Sequence, residues 1–248
     1  MIDIYYPYRF SDSQVITAGF TLPSREEVNT DGVIPGLNVG ENTTASQDEI
    51  EANLQKLSEQ AGFEKEQLVL GNQVHGSDVL TVSKPGFYEG YDGFVTNKTD
   101  LVLGIKVADC AALLFADEVN GVIGAAHAGW KGALAGIVPN TMDAMEQLGA
   151  SSEHIEVYVS PCISAEKFEV GQEVASQFPN NVVDWISHEK PRVDLKEFIW
   201  QQLKIRGLRL SDVELDERCT MNDPQFYSYR RERERAGRML GFIKMNKT

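Results

Sequence analysis

Two histidines and one cysteine stand where their side chains could do chemistry. His75 follows an apolar run in QVHG, and His127 closes another apolar run in AAHAGWKG. Cys110 lies in VADCAALLF, 17 residues before His127 and 35 after His75. Glycine borders both histidines, and glycine lets the backbone turn tightly around a ligand. These three residues are the candidate catalytic and metal-binding side chains of the sequence.

The three residue types are compatible with a metal site, with a nucleophile, or with neither. A thiolate and two imidazoles suit zinc or copper, and three protein ligands leave one position for water or substrate. Without a metal, Cys110 would be a nucleophile and His127 its base. A cysteine in an apolar strand is more often a buried hydrophobe, however, and a histidine at a strand end is more often inert. Spacing alone leaves these interpretations open.

Basic residues elsewhere are candidates for holding an anion. The stretch YSYRRERERAGR contains Arg230 and Arg231 among tyrosines, and Lys131 belongs to GWKG. Such alternating charge is usually a solvated surface, but a guanidinium group also matches the geometry of phosphate. His154 and His188 have polar neighbours, so we expect them at the surface or at a strand edge and not in the site.

The composition predicts an acidic globular protein without nucleic-acid or membrane partners. The 248 residues carry a formal net charge of -14, and a field of that sign repels phosphate backbones and anionic lipids. The first residues do not resemble a signal peptide, and Lys106 and Asp109 interrupt the most apolar stretch, so we expect a cytoplasmic protein. The 3 cysteines, without a Cys-x-x-Cys pair, argue against a disulfide framework.

The elements that must position these residues alternate between helices and strands. Ser46 and Glu49 form a capping box that begins a helix, and Gly62 is the expected end of that helix. Apolar runs between residues 68 and 128 predict strands, and their consecutive apolar positions indicate burial on both faces. These runs are LVLGNQV, DVLTV, DGFVT, LVLGIKV, AALLFA and GVIGAAHA.

The second half of the chain continues the alternation. Apolar residues after GWKG keep helical spacing, but Pro139 interrupts them, so the helix either kinks there or begins late. A strand at IEVYVS, a helix that ends at Gly207 and a closing strand at RMLGFIKM follow. No repeat or linker divides the chain. We therefore predict one domain over residues 1–248, with an α+β fold that is a layered α/β sandwich.

Several motifs in this chain occur in the order that is typical of one family. The motifs are QVHG, VADCAALLF, AAHAGWKG, SPCISAEKFEVG, VDL, FYSYRR and AGR. Together they resemble the YfiH-like laccase-domain proteins, which are described as multicopper polyphenol oxidases and also as purine nucleoside phosphorylases. The resemblance runs from GLNVG near residue 36 to the C-terminus.

This resemblance implies a fold, a metal and an activity. The implied fold has mixed β-sheets packed between helices, and the implied ligands of zinc, or alternatively copper, are His75, Cys110 and His127. The implied reaction is phosphorolysis of adenosine, inosine and methylthioadenosine, with adenosine deamination as a side activity. The partners are then a purine nucleoside and phosphate. Because Arg230, Arg231 and Lys131 lie in the matching motifs, we expect phosphate to bind there.

Three other functions remain open beside phosphorolysis. One is a copper-dependent polyphenol oxidase, although 4 histidines are too few to supply a blue-copper centre and a trinuclear cluster as well. Another is a metal-free cysteine hydrolase, including one that edits cell-wall precursors, and the last is a nucleoside-binding module without turnover. The chain also departs from its relatives, since Leu54 and Lys131 stand where arginine is common.

Overall fold

The first predicted helix is present with both of its expected ends. The computed structural model describes residues 5–8, 10, 15–22, 36–41, 43–187 and 189–247, and α1 (Gln47–Ala61) lies between Ser46 and Gly62. The Ser46 hydroxyl accepts the Glu49 N–H at 3.3 Å, and the Glu49 carboxylate accepts the Ser46 N–H at 2.7 Å. Gly62 takes the left-handed conformation, with φ 74°, that commonly ends a helix. The capping-box prediction is confirmed.

Replacing Ser46 with alanine should lower the free energy of unfolding by about 1 kcal/mol, because one N-terminal N–H of α1 loses its acceptor. Denaturant unfolding measures this difference. Gln47→Ala is the matched control, since it removes the next side chain along without touching the cap, and its expected effect is below about 0.5 kcal/mol. Equal effects of the two substitutions would contradict the role of Ser46.

The described residues contain fourteen strands and five further α-helices. The strands are β1 (Tyr5–Tyr8), β2 (Ile16–Thr21), β3 (Leu68–Asn72), β4 (Val79–Thr81), β5 (Gly86–Glu89), β6 (Gly93–Thr96), β7 (Val102–Val107), β8 (Ala111–Asp117), β9 (Val122–Ala128), β10 (Ile155–Val159), β11 (Val183–Asp184), β12 (Arg192–Val193), β13 (Val213–Leu215) and β14 (Met239–Met245). The helices are α2 (Trp130–Ala135), α3 (Ile137–Gln147), α4 (Gln172–Ala175), α5 (Leu195–Ile205) and α6 (Tyr229–Glu232).

These strands form two mixed sheets of six strands each and one short pair. The first sheet has the order β1-β2-β14-β7-β3-β5, in which β3 runs parallel to β7 while β14 runs antiparallel to it. The second sheet has the order β13-β10-β8-β9-β6-β4, and its central strands β8 and β9 are antiparallel. Strands β11 and β12 pair with each other.

Alternating side chains place the two sheets face to face and leave their outer faces to helices. Leu103 of β7 belongs to the same buried layer as Leu114 of β8 and Ile123 of β9. Val102, the neighbour of Leu103, packs with α1 on the opposite face, while α2, α3 and α5 pack on the outer face of the second sheet. Strands that are covered on both faces have consecutive apolar residues. The layered arrangement, with mixed sheets between helices, is confirmed.

Two local expectations are refined by the structure. The helical region after GWKG is divided at Gly136, which has φ 93°, and α3 starts afresh at Ile137. Pro139 therefore lies in the first turn of α3, where the missing N–H of proline breaks no helical hydrogen bond. Cys110 lies in a bend between β7 and β8, not inside a strand. None of the described helices is long and apolar enough to cross a lipid bilayer.

Candidate active site

The candidate residues meet at one end of the sheet sandwich. Strand β9 ends there at Ala128, directly opposite Ala111, where β8 begins. Because the two strands are antiparallel neighbours, the bend that carries Cys110 comes beside the chain that leaves β9. Strand β3 ends at the same place, and the loop that follows it carries His75. The structure thus gathers three residues that are far apart in sequence.

The three side chains are close enough to bind one ion. The ligand atoms of His75, Cys110 and His127 all lie within 4.8 Å of one another. The two imidazole rings are 4.7 Å apart and meet edge to face at 74°. Gly129 leaves room for them, because a Cβ atom there would lie 2.9 Å from the Cys110 Sγ and 3.1 Å from the His75 Cδ2. Even alanine at this position would crowd the cluster.

Asp92 fixes two of these residues, and the sequence did not single it out. Its buried Oδ1 accepts the His127 Nδ1–H at 2.7 Å and the His75 N–H at 3.0 Å. Its Oδ2 accepts the N–H groups of Val74 at 3.0 Å and Gly76 at 2.8 Å. Asp92 therefore shapes the loop of His75 and leaves the Nε2 of His127 as the ring nitrogen that faces Cys110 and can bind a metal. The only hint in the sequence is its place just before the strand DGFVT.

Cys110 and His127 favour the charged forms of one another. Burial is the largest influence on the Cys110 thiol and acts to raise its pKa, but the charge and hydrogen bond of His127 outweigh burial and lower this pKa to about 6. Burial likewise acts to lower the pKa of His127, yet the Cys110 charge and the Asp92 hydrogen bond raise it to about 9. The geometry stabilises a thiolate, which is the form that binds metals and acts as a nucleophile.

The donor set fits a zinc or copper ion. It combines a thiolate with two imidazoles, and one imidazole is oriented by a buried carboxylate, as is usual for metal-bound histidine. Three protein donors leave a coordination position for water or substrate. The residues present therefore suit the kind of metal centre that the sequence implied.

A cleft of about 510 Å³ opens above the three side chains and contains further charged and apolar residues. Arg230 lines it, with its Nη1 donating to the Glu169 carbonyl at 3.0 Å and its guanidinium carbon 5.8 Å from the centre of the Phe168 ring. Phe168 and Leu195 form part of an apolar wall, and Arg238 is a second arginine in the lining. The sequence pattern contained Arg238 but did not distinguish it from the other arginines.

The remaining basic candidates lie outside this lining. Arg231 is used within the protein, since its Nη1 donates to the carbonyls of Thr220 and Met221 and its Nη2 donates to the Glu232 carboxylate. Lys131 is exposed, with its Nζ 5.5 Å from the centre of the Trp130 ring. A phosphate contact by either residue stays a prediction, and the geometry favours Arg230.

The other two histidines are separate from the cluster in different ways. His154 is exposed, and its Nδ1 lies 3.3 Å from the amide nitrogen of Asn120, which agrees with the expected surface position. His188 falls outside the described residues. Leu54 lies on the buried face of α1 and packs in one cluster with Leu57 and Leu70, so the residue that replaces the common arginine belongs to the core.

Asp109 hydrogen-bonds to the segment that contains Arg230 and thereby holds it against the bend that contains Cys110. Its Oδ1 accepts the Thr220 hydroxyl at 2.6 Å, and its Oδ2 accepts the Ser228 hydroxyl at 3.0 Å and the Arg230 N–H at 2.6 Å. The residue has φ 80°, a left-handed conformation that aspartate tolerates better than most residues. With both oxygens engaged in these hydrogen bonds, Asp109 is a positioning residue.

The chain is similar to known proteins over most of its length and most of theirs. A protein from Deinococcus radiodurans named "Purine nucleoside phosphorylase" is 38% identical over 213 residues, which are 86% of this chain and 83% of that protein. "Purine nucleoside phosphorylase ORF3" of Streptomyces griseus is 33% identical over 199 residues, 77% of this chain and 80% of its own.

Solved structures have the same fold. The crystal structure of YlmD from Geobacillus stearothermophilus matches with a TM-score of 0.86 and 28% identity, over 94% of this chain and 93% of the other. The hypothetical protein YfiH of Bacillus licheniformis matches with a TM-score of 0.86 and 26% identity, over 93% of each chain. Residues 19–246 match the family described as "Multi-copper polyphenol oxidoreductase laccase". The chain therefore belongs to this laccase-like family, to which its YfiH-like sequence motifs had pointed.

Proposed function

We propose that the chain is a zinc-dependent purine nucleoside phosphorylase whose active site is the cleft above His75, Cys110 and His127. The observation that carries this proposal is the juxtaposition of a three-donor metal cluster with Arg230 in one cleft of about 510 Å³. That volume suits a small-molecule ligand. The names of the relatives from Deinococcus and Streptomyces point to the same activity.

The residues of the cleft have distinct roles in this proposal. In phosphorolysis, a phosphate oxygen bonds to the sugar carbon C1′ while the bond to the base nitrogen breaks, giving the free base and ribose 1-phosphate. Arg230 would hold the phosphate through charge-assisted hydrogen bonds. Phe168, Leu195 and Ile163 are buried apolar residues of the wall, and they would pack on the purine and exclude water.

Zinc is the proposed metal because the protein supplies three ligands and an open position. His75, Cys110 and His127 would hold it, with Asp92 fixing the orientation of His127. When bound, the metal would supply Lewis acidity and would make a water molecule more acidic. That chemistry also suits hydrolytic deamination of adenosine to inosine and ammonia, which we propose as a side activity.

The test uses the whole protein after metal analysis. Incubated with inosine and phosphate, it should release hypoxanthine and ribose 1-phosphate in equal amounts, and adenosine and methylthioadenosine should release their bases in the same way. Chelation should abolish base release, and zinc should restore it more fully than copper. Oxygen-dependent turnover of a phenolic dye without base release would instead identify a copper oxidase.

A second candidate function is supported by the order Cys110–His127–Asp92. A thiol beside an imidazole whose other nitrogen donates to a carboxylate is the arrangement of a cysteine nucleophile, its base and an orienting residue. His75 separates the two functions, because a metal site needs it as a ligand and a cysteine hydrolase does not. Hydrolytic activity that survives both complete metal removal and the substitution His75→Ala would support the cysteine hydrolase.

Replacing Arg230 with alanine should raise the KM for phosphate by about tenfold or more, since a hydrogen bond to a charged group contributes about 1.5–3 kcal/mol. Initial-rate kinetics with phosphate varied at saturating inosine measure this change. Lys131→Ala is the matched control, because it removes one basic residue outside the lining, and its KM for phosphate should stay near that of the unsubstituted protein. An unchanged KM in Arg230→Ala, or a larger change in Lys131→Ala, would overturn the assignment.

A further inference from the structure

Lys106 is a buried cation that the proposed reaction does not use. It interrupts the apolar run of β7, and its side chain is only 8% exposed. Its Nζ lies 5.0 Å from the centre of the Phe87 ring, and it donates a hydrogen bond to the Glu41 carboxylate. An ammonium group has three N–H donors. Among the described residues Glu41 is the acceptor bonded to them, so Lys106 can bind a further anionic oxygen.

Arg238 lies just before β14 and is a diagonal neighbour of Lys106, which is on the adjacent strand β7. Leu240 is the register partner of Lys106 across β14 and β7, and Arg238 precedes Leu240 by two residues. Diagonal neighbours of this kind are about 7–8 Å apart, and the charge of Arg238 acts on Lys106. Both side chains line the cleft that contains Cys110. The two cations are therefore placed to contact one ligand.

The Arg238 side chain is held in place before any ligand binds. Its stem packs on Gly40, where a Cβ atom would lie 2.4 Å from the Arg238 Cγ. Its Nη1 donates to the carbonyls of Ala236 at 2.6 Å and Gly237 at 3.0 Å, and its backbone N–H donates to Asn38 at 2.8 Å. Within the described part of the chain, the Nε and Nη2 groups make no hydrogen bond. They are the donors that remain for a ligand.

We propose that Lys106 and Arg238 form a subsite for a phosphoryl group, and that Glu41 is a carboxylate which the incoming anion displaces. The identification of the cleft as an active site rests on the proposed function. A point charge beside a planar guanidinium group suits the two negative charges and the several oxygens of a phosphoryl group. In a protein with a net charge of -14, such a ligand needs a local pair of cations.

Glu41 has the properties of a displaceable partner. Its side chain is 32% exposed, whereas that of Lys106 is almost fully buried, so Glu41 can move to solvent while Lys106 stays. Its carboxylate offers the lysine the same kind of oxygen as a phosphoryl group. The phosphoryl group has two possible sources, namely inorganic phosphate and the phosphate ester of a phosphorylated nucleoside.

Calorimetric titration of the whole metal-analysed protein tests the subsite, with inorganic phosphate and inosine 5′-monophosphate as separate probes. Glu41→Gln should bind the relevant probe about fivefold more tightly, because no carboxylate has to be displaced. Lys106→Met should bind it at least about tenfold more weakly. Glu89→Gln is the matched control, since the Glu89 carboxylate also acts on Lys106 by its charge but is bonded to Asn72, and its affinity should change much less than that of Glu41→Gln. If Glu41→Gln binds inorganic phosphate more tightly, the ligand of the subsite is the free ion. If this variant binds only the nucleotide more tightly, the ligand is a phosphate ester.

The inference would be overturned if Glu41→Gln bound both probes with unchanged affinity. It would also be overturned if Glu89→Gln changed the affinity as strongly as Glu41→Gln does. Thermal unfolding of each variant shows that the proteins compared are folded, and Glu41→Gln alters only a partly exposed side chain. Because the readout is binding, it is independent of turnover. Absence of base release by the unsubstituted protein, together with the expected effect of Glu41→Gln, would contradict the proposed function and leave the subsite intact.

Discussion

Cys110→Ala is expected to abolish stoichiometric zinc binding and to lower the rate of phosphorolysis by at least about 100-fold. Cys110 supplies the only sulfur donor of the cluster, and its ligand atom lies within 4.8 Å of those of both histidines. Even partners that only orient a metal ligand contribute about 10- to 100-fold to metal affinity or activity, so loss of a ligand should cost at least as much. Metal content per chain and release of hypoxanthine from inosine are the two measurements.

Cys219→Ala is the matched control for the loss of Cys110. Cys219 is also a free cysteine, but it lies outside the cleft, where its Sγ accepts the Ser164 N–H at 3.3 Å. This variant should keep its zinc and its rate. A Cys110→Ala protein with full zinc content and full rate would refute the metal site. One with full zinc content and no turnover would instead support Cys110 as a nucleophile.

Asp92→Asn is expected to weaken zinc binding by about 10- to 100-fold and to lower the free energy of unfolding by about 2 kcal/mol. Each carboxylate oxygen of Asp92 accepts two N–H groups, so an amide NH₂ would face two donors in either orientation. If the NH₂ replaces Oδ1, the Nδ1 of His127 must become an acceptor. The proton then moves to Nε2, and the histidine loses its free ligand atom.

Asp117→Asn separates the effect on the metal from the effect on stability. Asp117 is equally buried and accepts the N–H groups of Asn120 at 2.9 Å and Ser151 at 2.7 Å, but it lies at the far end of β8 from Cys110. This variant should lose stability and keep its zinc affinity. Zinc titration and denaturant unfolding of both variants give the comparison. Equal zinc affinities of Asp92→Asn and the unsubstituted protein would show that Asp92 does not orient His127.

The cluster could be anticipated from the sequence, but its supporting residues could not. Residue types and spacing made His75, Cys110 and His127 candidates, and the resemblance to the YfiH-like family is what implied that the three bind one metal. Asp92 was missed because its role depends on hydrogen bonds to a loop 16 to 18 residues away. Lys106 was visible as a charge in an apolar run, and only the register of β14 against β7 placed Arg238 beside it.

The sequence likewise could not show which basic residues line the cleft. Arg230, Arg231 and Lys131 have similar sequence settings, since each lies in a motif that contains an aromatic residue. The structure separates them, because Arg231 donates to backbone carbonyls and Lys131 is exposed while Arg230 lines the cleft. The direction of a long side chain depends on the packing around it, which residue type and spacing do not specify.

The sequence by itself determined the two ends of α1, the strands covered on both faces and the chemical types of the candidate metal ligands. These properties are local, because a capping box spans four residues and an apolar strand is a short run. The tertiary structure alone decided which polar groups meet, as when Asp109 bonds Ser228 across 119 residues of chain. Contacts of that range arise when strands pair and sheets stack, so a short stretch of sequence does not contain them.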